Sequence, residues 1–141
     1  MITIYPACFY TEADDAVSVM FPDLNHLATQ GDDLQDAMEM AVECLAAYIE
    51  GEKEDGNKIP EPSDIKDIDP IEYYRSEFNE DPSGKCFVSY VSVDVEEYSK
   101  LHFNKSVKKT LTIPAWLNKK ALKANINFSK VLKEALIEKL S

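Results

Sequence analysis

Side chains equipped for chemistry are spread along this 141-residue sequence without an evident centre. A carboxylate cluster could hold two metal ions for hydrolysis of RNA. Nothing in the spacing of Asp14, Asp15 and Asp23 forces such a cluster together, and acidic turns are commonplace. His26 and His102 are lone histidines, and no pairing with Cys8, Cys44 or Cys86 has zinc-ligand spacing. There is no Gly-rich phosphate loop and no Ser/His/Asp arrangement. The expectation is a binding protein and not an enzyme, with no metal and no cofactor. The most regular set of polar groups lies in the last third. There Lys108, Thr110 and Thr112 alternate with Val107, Leu111 and Ile113, which is the period of a strand with one polar and one mostly apolar face.

The elements around that strand are legible. Pro114 stops it and suits the first turn of a helix, where a missing N–H costs nothing. Trp116, Leu117, Ala121 and Leu122 follow at helical spacing. Asn125-Ile126-Asn127 breaks the helix, since Asn tolerates the left-handed conformation. Asn127 or Ser129 can cap a second helix with Phe128, Val131, Leu132, Ala135, Leu136 and Leu140 on one face. About 35 residues of this kind cannot bury a sufficient core alone. A two-fold partner supplies the remedy, the strands pairing antiparallel and the helices interlocking around them.

This stretch, Val107–Leu140, resembles a ribbon-helix-helix DNA-binding domain. A two-stranded ribbon fits the major groove of B-DNA, where its outward side chains read base edges. The resemblance implies base reading by Lys108, Thr110 and Thr112. It implies a phosphate held at the start of the second helix by Asn127, Phe128 and Ser129. Asn125 stands where Gly is usual and Phe128 where Arg is frequent, so phosphate affinity is expected to lean on Lys130 and Lys105. The shared core of the homodimer would be Val107, Leu111, Ile113, Trp116, Leu132 and Leu136.

Charge divides the chain at the same place. Residues 105–141 hold nine lysines against two glutamates, a balance of +7, while residues 1–104 hold six basic and 24 acidic residues, a balance of −18. A basic tail suits a polyanion; an acidic body repels one and attracts a basic partner. Three cysteines without CxxC spacing, and no signal peptide, point to a reduced cytoplasmic setting. No apolar run approaches the ~20 residues of a membrane span.

Residues 1–104 read as a small α+β domain. Ile2 to Tyr10 is a strand in which Pro6 suggests an edge position or a bulge. Ala16 to Phe21 pairs with it as a hairpin, and Leu27 to Gln30 is a short third strand. Asp32 or Asp33 caps a helix running to about Glu50, with Leu34, Met38, Ala41, Leu45 and Tyr48 as its buried stripe. Gly51 through Lys58 is a charged exit. Ile59 to Gly84 is a long connection, with a short helix at Ile71–Phe78 capped by Asp69. Cys86 to Val95 is the strongest strand, and Glu96 to Ser106 is a linker or short helix.

Tyr5-Pro6-Ala7, Phe9, Val19, Phe21-Pro22-Asp23-Leu24, Thr29-Gln30-Gly31-Asp32, the Ala-rich acidic helix and Pro60-Glu61-Pro62-Ser63 together resemble a HicB-type antitoxin of a HicA/HicB toxin–antitoxin pair. With the C-terminal ribbon-helix-helix (β-α-α), the likeness spans essentially the whole chain. It implies a partial ribonuclease-H-like β-β-β-α-β domain at 1–104 and a DNA-binding, dimerising domain at 105–141. It also implies two partners, a small basic HicA-type toxin that cleaves RNA and the operator DNA of its own operon. Candidate toxin contacts are Asp14, Asp15, Asp23, Asp32, Asp36, Glu39 and Glu43, with Tyr10, Tyr73 or Tyr74 as exposed apolar anchors. The alternative is a ribbon-helix-helix repressor whose N-terminal domain senses a small ligand or metal.

Overall fold

The computed structural model describes residues 1–103 and 109–141. The chain divides into two units, Met1–Lys105 and Ser106–Ser141.

The first unit is built on β1 (Ile2–Thr11), β2 (Val17–Phe21), β3 (Leu27–Gly31), α1 (Leu34–Glu54), α2 (Pro70–Phe78), β4 (Cys86–Asp94) and α3 (Val95–His102). The sheet runs β3-β2-β1-β4, each pair antiparallel. One face carries Tyr5, Ala7, Phe9, Val19, Phe21, Val91 and Val93 against Ala37, Ala41, Leu45 and Ile49 of α1, all buried. Asp33 caps α1, its Oδ1 accepting the Asp36 N–H at 2.8 Å, and Asp36 Oδ2 accepts the Asp32 N–H at 2.8 Å. The first bond satisfies an amide that the first helical turn leaves without a partner, and the second ties the residue before the cap back to that turn. A Cβ on Gly31 would come within 2.2 Å of the Ala37 nitrogen, so the approach of the helix to the sheet requires glycine there.

Two expectations for α1 are corrected. Leu34 is 50% exposed, and the buried stripe is Ala37, Ala41, Leu45, Ala46 and Ile49, because small residues let the helix lie close to the sheet. The helix also continues through Gly51 to Glu54, since one glycine costs a helix only about 1 kcal/mol.

The connection from 59 to 84 is not a plain loop. Ile59 packs on the helix-side core, while Ile68, Tyr73 and Tyr74 pack on the opposite sheet face over Cys8, Tyr10 and Met20. The segment is tied down along its length. The Tyr5 hydroxyl donates to the Pro60 carbonyl. Asp23 accepts from the Ser63 amide at 2.8 Å and hydroxyl at 2.6 Å. The Ile65 amide donates to the Tyr90 hydroxyl at 3.1 Å, and the Tyr10 hydroxyl to the Pro70 carbonyl at 2.7 Å. As expected, Asp69 caps α2 and Pro70 opens it. The sheet therefore carries cover on both faces, the second in part, and Tyr10, 2% exposed, is a core residue.

The second unit comprises α4 (Ala115–Lys123) and α5 (Phe128–Leu140). Pro114 is the N-cap of α4, Asn125 turns the chain at φ 55°, and Asn127 Oδ1 caps α5 by accepting the Lys130 amide at 3.1 Å. Residues 109–114 form no strand. A strand exists through bonds to a neighbouring strand, and the expected neighbour here is a second copy.

Candidate functional site

In the second unit Thr110 and Thr112, expected to read the groove, are exposed, and Lys105, Val107 and Lys108 lie outside the described residues. Behind the threonines, Leu111, Ile113, Leu117, Ile126, Phe128, Val131 and Leu132 line an open groove of about 610 Å³. The expected core residues stand in solvent in a single chain: Leu111 is 65%, Trp116 64% and Leu136 51% exposed, with Ile113 and Leu132 also open. That is an apolar surface sized for another element, and no residue described in this unit is buried. Asn127, Phe128, Ser129 and Lys130 meet at the start of α5. The Asn127 side chain takes the Lys130 amide, and the Phe128 and Ser129 amides, in the first turn, have no intrahelical acceptor. Such a terminus favours an anion.

In the first unit the acidic candidates do not gather at one point. Asp14 and Asp15 form the β1–β2 turn, where Asp15 adopts φ 68° and Asp14 accepts the Ala16 amide at 3.3 Å. Asp23 uses both carboxylate oxygens on Ser63. Asp32 and Asp36 serve the start of α1. Glu39 and Glu43 are exposed on α1 beside a shallow cleft of about 420 Å³ walled by Met38, Val42, Tyr98 and His102. Among the described residues no group of three His, Cys, Asp or Glu side chains could hold a metal ion.

The aromatic anchors are corrected. Tyr10 is buried, and Tyr73 and Tyr74 are partly buried in the second core. The reason is the 59–84 segment, which covers the face they were expected to expose. Burial raises the Tyr10 and Tyr73 hydroxyls above the ordinary tyrosine range. His26 faces α2, its Nδ1 2.5 Å from the Tyr73 hydroxyl and 3.4 Å from a Glu77 carboxylate oxygen. Asn25 and His26 both adopt positive φ, 54° and 59°.

These features define a chain of two units: a mixed α+β body with a four-stranded antiparallel sheet, and a helix pair with an open apolar face. The family described as HicB_like antitoxin of bacterial toxin-antitoxin system matches residues 5–124, and the chain belongs to it. It is similar to an uncharacterized 14.9 kDa protein of Haemophilus phage HP1, 32% identical over 115 residues, covering 81% of this chain and 75% of that one. Antitoxin HicB 1 of Photorhabdus laumondii is 36% identical over 61 residues, 43% of this chain and 39% of its own. Among solved structures, a chain of a toxin–antitoxin complex from Streptococcus pneumoniae is 35% identical, with a TM-score of 0.65 and 99% of both chains covered.

Proposed function

We propose that this chain neutralises a small basic HicA-type toxin by covering the surface on which it cleaves RNA, and represses its own operon. In this reading the first unit is a partial ribonuclease-H-like body that retains the outline and not the catalysis. Its −18 balance offers a field complementary to a protein that must bind RNA. Asp14, Asp15, Glu39 and Glu43 are the proposed contacts, being outward carboxylates.

The observation that carries the DNA half is the exposed apolar groove of the second unit. Two copies closing on each other would bury Leu111, Ile113, Trp116, Leu132 and Leu136, at roughly 1.5–3 kcal/mol for each fully buried side chain. The same closure would pair the 107–113 segments into a ribbon carrying Lys108, Thr110 and Thr112 outward. Phosphates would rest on the start of α5 and on Lys130.

The test is to look beside this chain's gene for a reading frame that encodes a small basic protein, and to co-express the two. Induction of that protein alone should arrest growth, and this chain should restore it. A neighbour that is harmless, or whose toxicity this chain leaves unchanged, removes the antitoxin half of the reading.

A further inference from the structure

The sheet has one long free edge. The Thr11 amide reaches the Lys85 carbonyl at 2.9 Å, in the same register that pairs Ile2 with Asp94 through Tyr10 with Cys86. Bonded and non-bonded pairs alternate in an antiparallel ladder, so β1 bonds the odd-numbered residues of β4. The amides and carbonyls of Cys86, Val88, Tyr90 and Ser92 therefore point away from the sheet. Among the described residues their one partner is the Ser89 hydroxyl, which donates to the Tyr90 carbonyl at 3.2 Å. Exposed edges are usually blunted by proline, a bulge, inward charge or short length. β4 keeps nine residues in continuous register and has no proline.

A second observation lies beside this edge. The 59–78 segment covers the sheet face over Cys8, Tyr10 and Met20 and reaches Tyr90 through the Ile65 amide. Beside that contact Tyr90 keeps 44% of its surface exposed, and Ile2 and Ile4 remain 57% and 46% exposed, with Ile4 paired to Ser92. An apolar patch thus continues to an unpaired main-chain edge, which is the composition of a strand-addition site.

Charge selects the occupant. A second copy would bring two bodies of −18 together, whereas a basic protein is drawn to the same surface. Resting on the antitoxin reading above, we propose that the outer edge of β4, with Ile2, Ile4 and Tyr90 beside it, docks an exposed strand of the toxin as a fifth strand of the sheet. Main-chain bonds to Val88, Tyr90 and Ser92 hold it, and the patch receives its alternate side chains.

The experiment is amide hydrogen exchange on the full-length chain, alone and with the small basic protein that the co-expression test identifies. The Val88, Tyr90 and Ser92 amides should exchange freely in the chain alone and slow by about tenfold or more in the complex. Those of Val91 and Val93 should be protected in both. Ser92→Pro removes only an outward donor, as edge prolines do, and should weaken binding about tenfold while Ser92→Ala binds as the parent. Protected Val91 and Val93 amides in the proline variant show that the ladder is intact. A bound complex in which Val88, Tyr90 and Ser92 exchange as in the free chain overturns the proposal. Protection of these amides in the chain alone, rising with its concentration, overturns it in favour of self-pairing. If the basic protein fails to bind the full-length chain at all, the antitoxin reading fails first and the docking edge falls with it.

Discussion

The Tyr10 hydroxyl donates to the Pro70 carbonyl across 2.7 Å, so the second core is fastened from the far end of β1 to the first residue of α2. Removing that hydroxyl leaves the ring packed and one carbonyl without its donor. Tyr10→Phe should destabilise the first unit by about 1 kcal/mol. Urea unfolding followed by far-UV circular dichroism measures this, and a midpoint equal to that of the parent would make the bond energetically idle.

Alkaline pH should weaken the fold. Burial pushes the Cys8 thiol up to about 11 from its ordinary 9.0, and it also raises the Tyr10 and Tyr73 hydroxyls. The unfolded chain releases these protons first, so unfolding gains from ionisation that the folded state resists. Stability from this source is whole below about pH 9 and is lost as pH rises through 11, with roughly 2 kcal/mol lost at Cys8 by then. Urea midpoints between pH 8 and 11 should fall, and Cys8→Ala should flatten part of the slope.

Trp116 reports on assembly. It is 64% exposed in one chain. On closure of the α4–α5 face against a second copy its emission should shift to shorter wavelength, and dilution should reverse the shift. Leu136→Asp places a charge in that face and should fix the emission at its solvent-exposed maximum. Sedimentation of the parent and variant should separate dimer from monomer.

Operator binding should divide by residue type. Thr110→Ala or Thr112→Ala should cost on the order of 1–3 kcal/mol where a base contact is lost, and should relax sequence choice. Lys130→Ala should weaken all sequences alike and make binding less steep in salt, because a phosphate contact carries no base information. Binding isotherms at two salt concentrations, on operator and scrambled duplexes, distinguish the two patterns.

What could be read from the sequence was local. Asp33 before α1, Asp69 with Pro70 at α2, and Asn125 with Asn127 between α4 and α5 each solve a backbone problem within a few residues. The β1–β2 hairpin and the antiparallel class of the sheet followed from alternation and turns in the same way. What escaped was which face a connection covers. Four prolines between residues 59 and 84 announce a loop, and nothing local says that Ile68, Tyr73 and Tyr74 will seal the far side of the sheet. For that reason Tyr10 was expected in solvent and is found in a core. Pro6 was legible in part. The β1–β2 ladder ends at Cys8 opposite Met20, and its next bonded pair would set Pro6 against Pro22, neither of which has an N–H to give. The placement of the acidic contacts depends on a partner surface and was legible only as net charge.

The way the 59–78 segment is held has a consequence for how the chain can diverge. Tyr5, Tyr10 and Tyr90 grip it through the Pro60 carbonyl, the Pro70 carbonyl and the Ile65 amide. Every residue type brings a carbonyl, and every type except proline brings an amide. Substitutions can therefore accumulate at the outward positions of the segment while its attachment persists; the exceptions are Ser63, whose hydroxyl Asp23 holds, and Ile59, Ile68, Tyr73 and Tyr74, which pack into the cores. The sheet tyrosines have no such freedom. In a library of variants selected for folding, tolerance should be broad at the outward positions of the covering segment and narrow at its core-packed positions and on the strands beneath, so that the surface diverges first and the grips last.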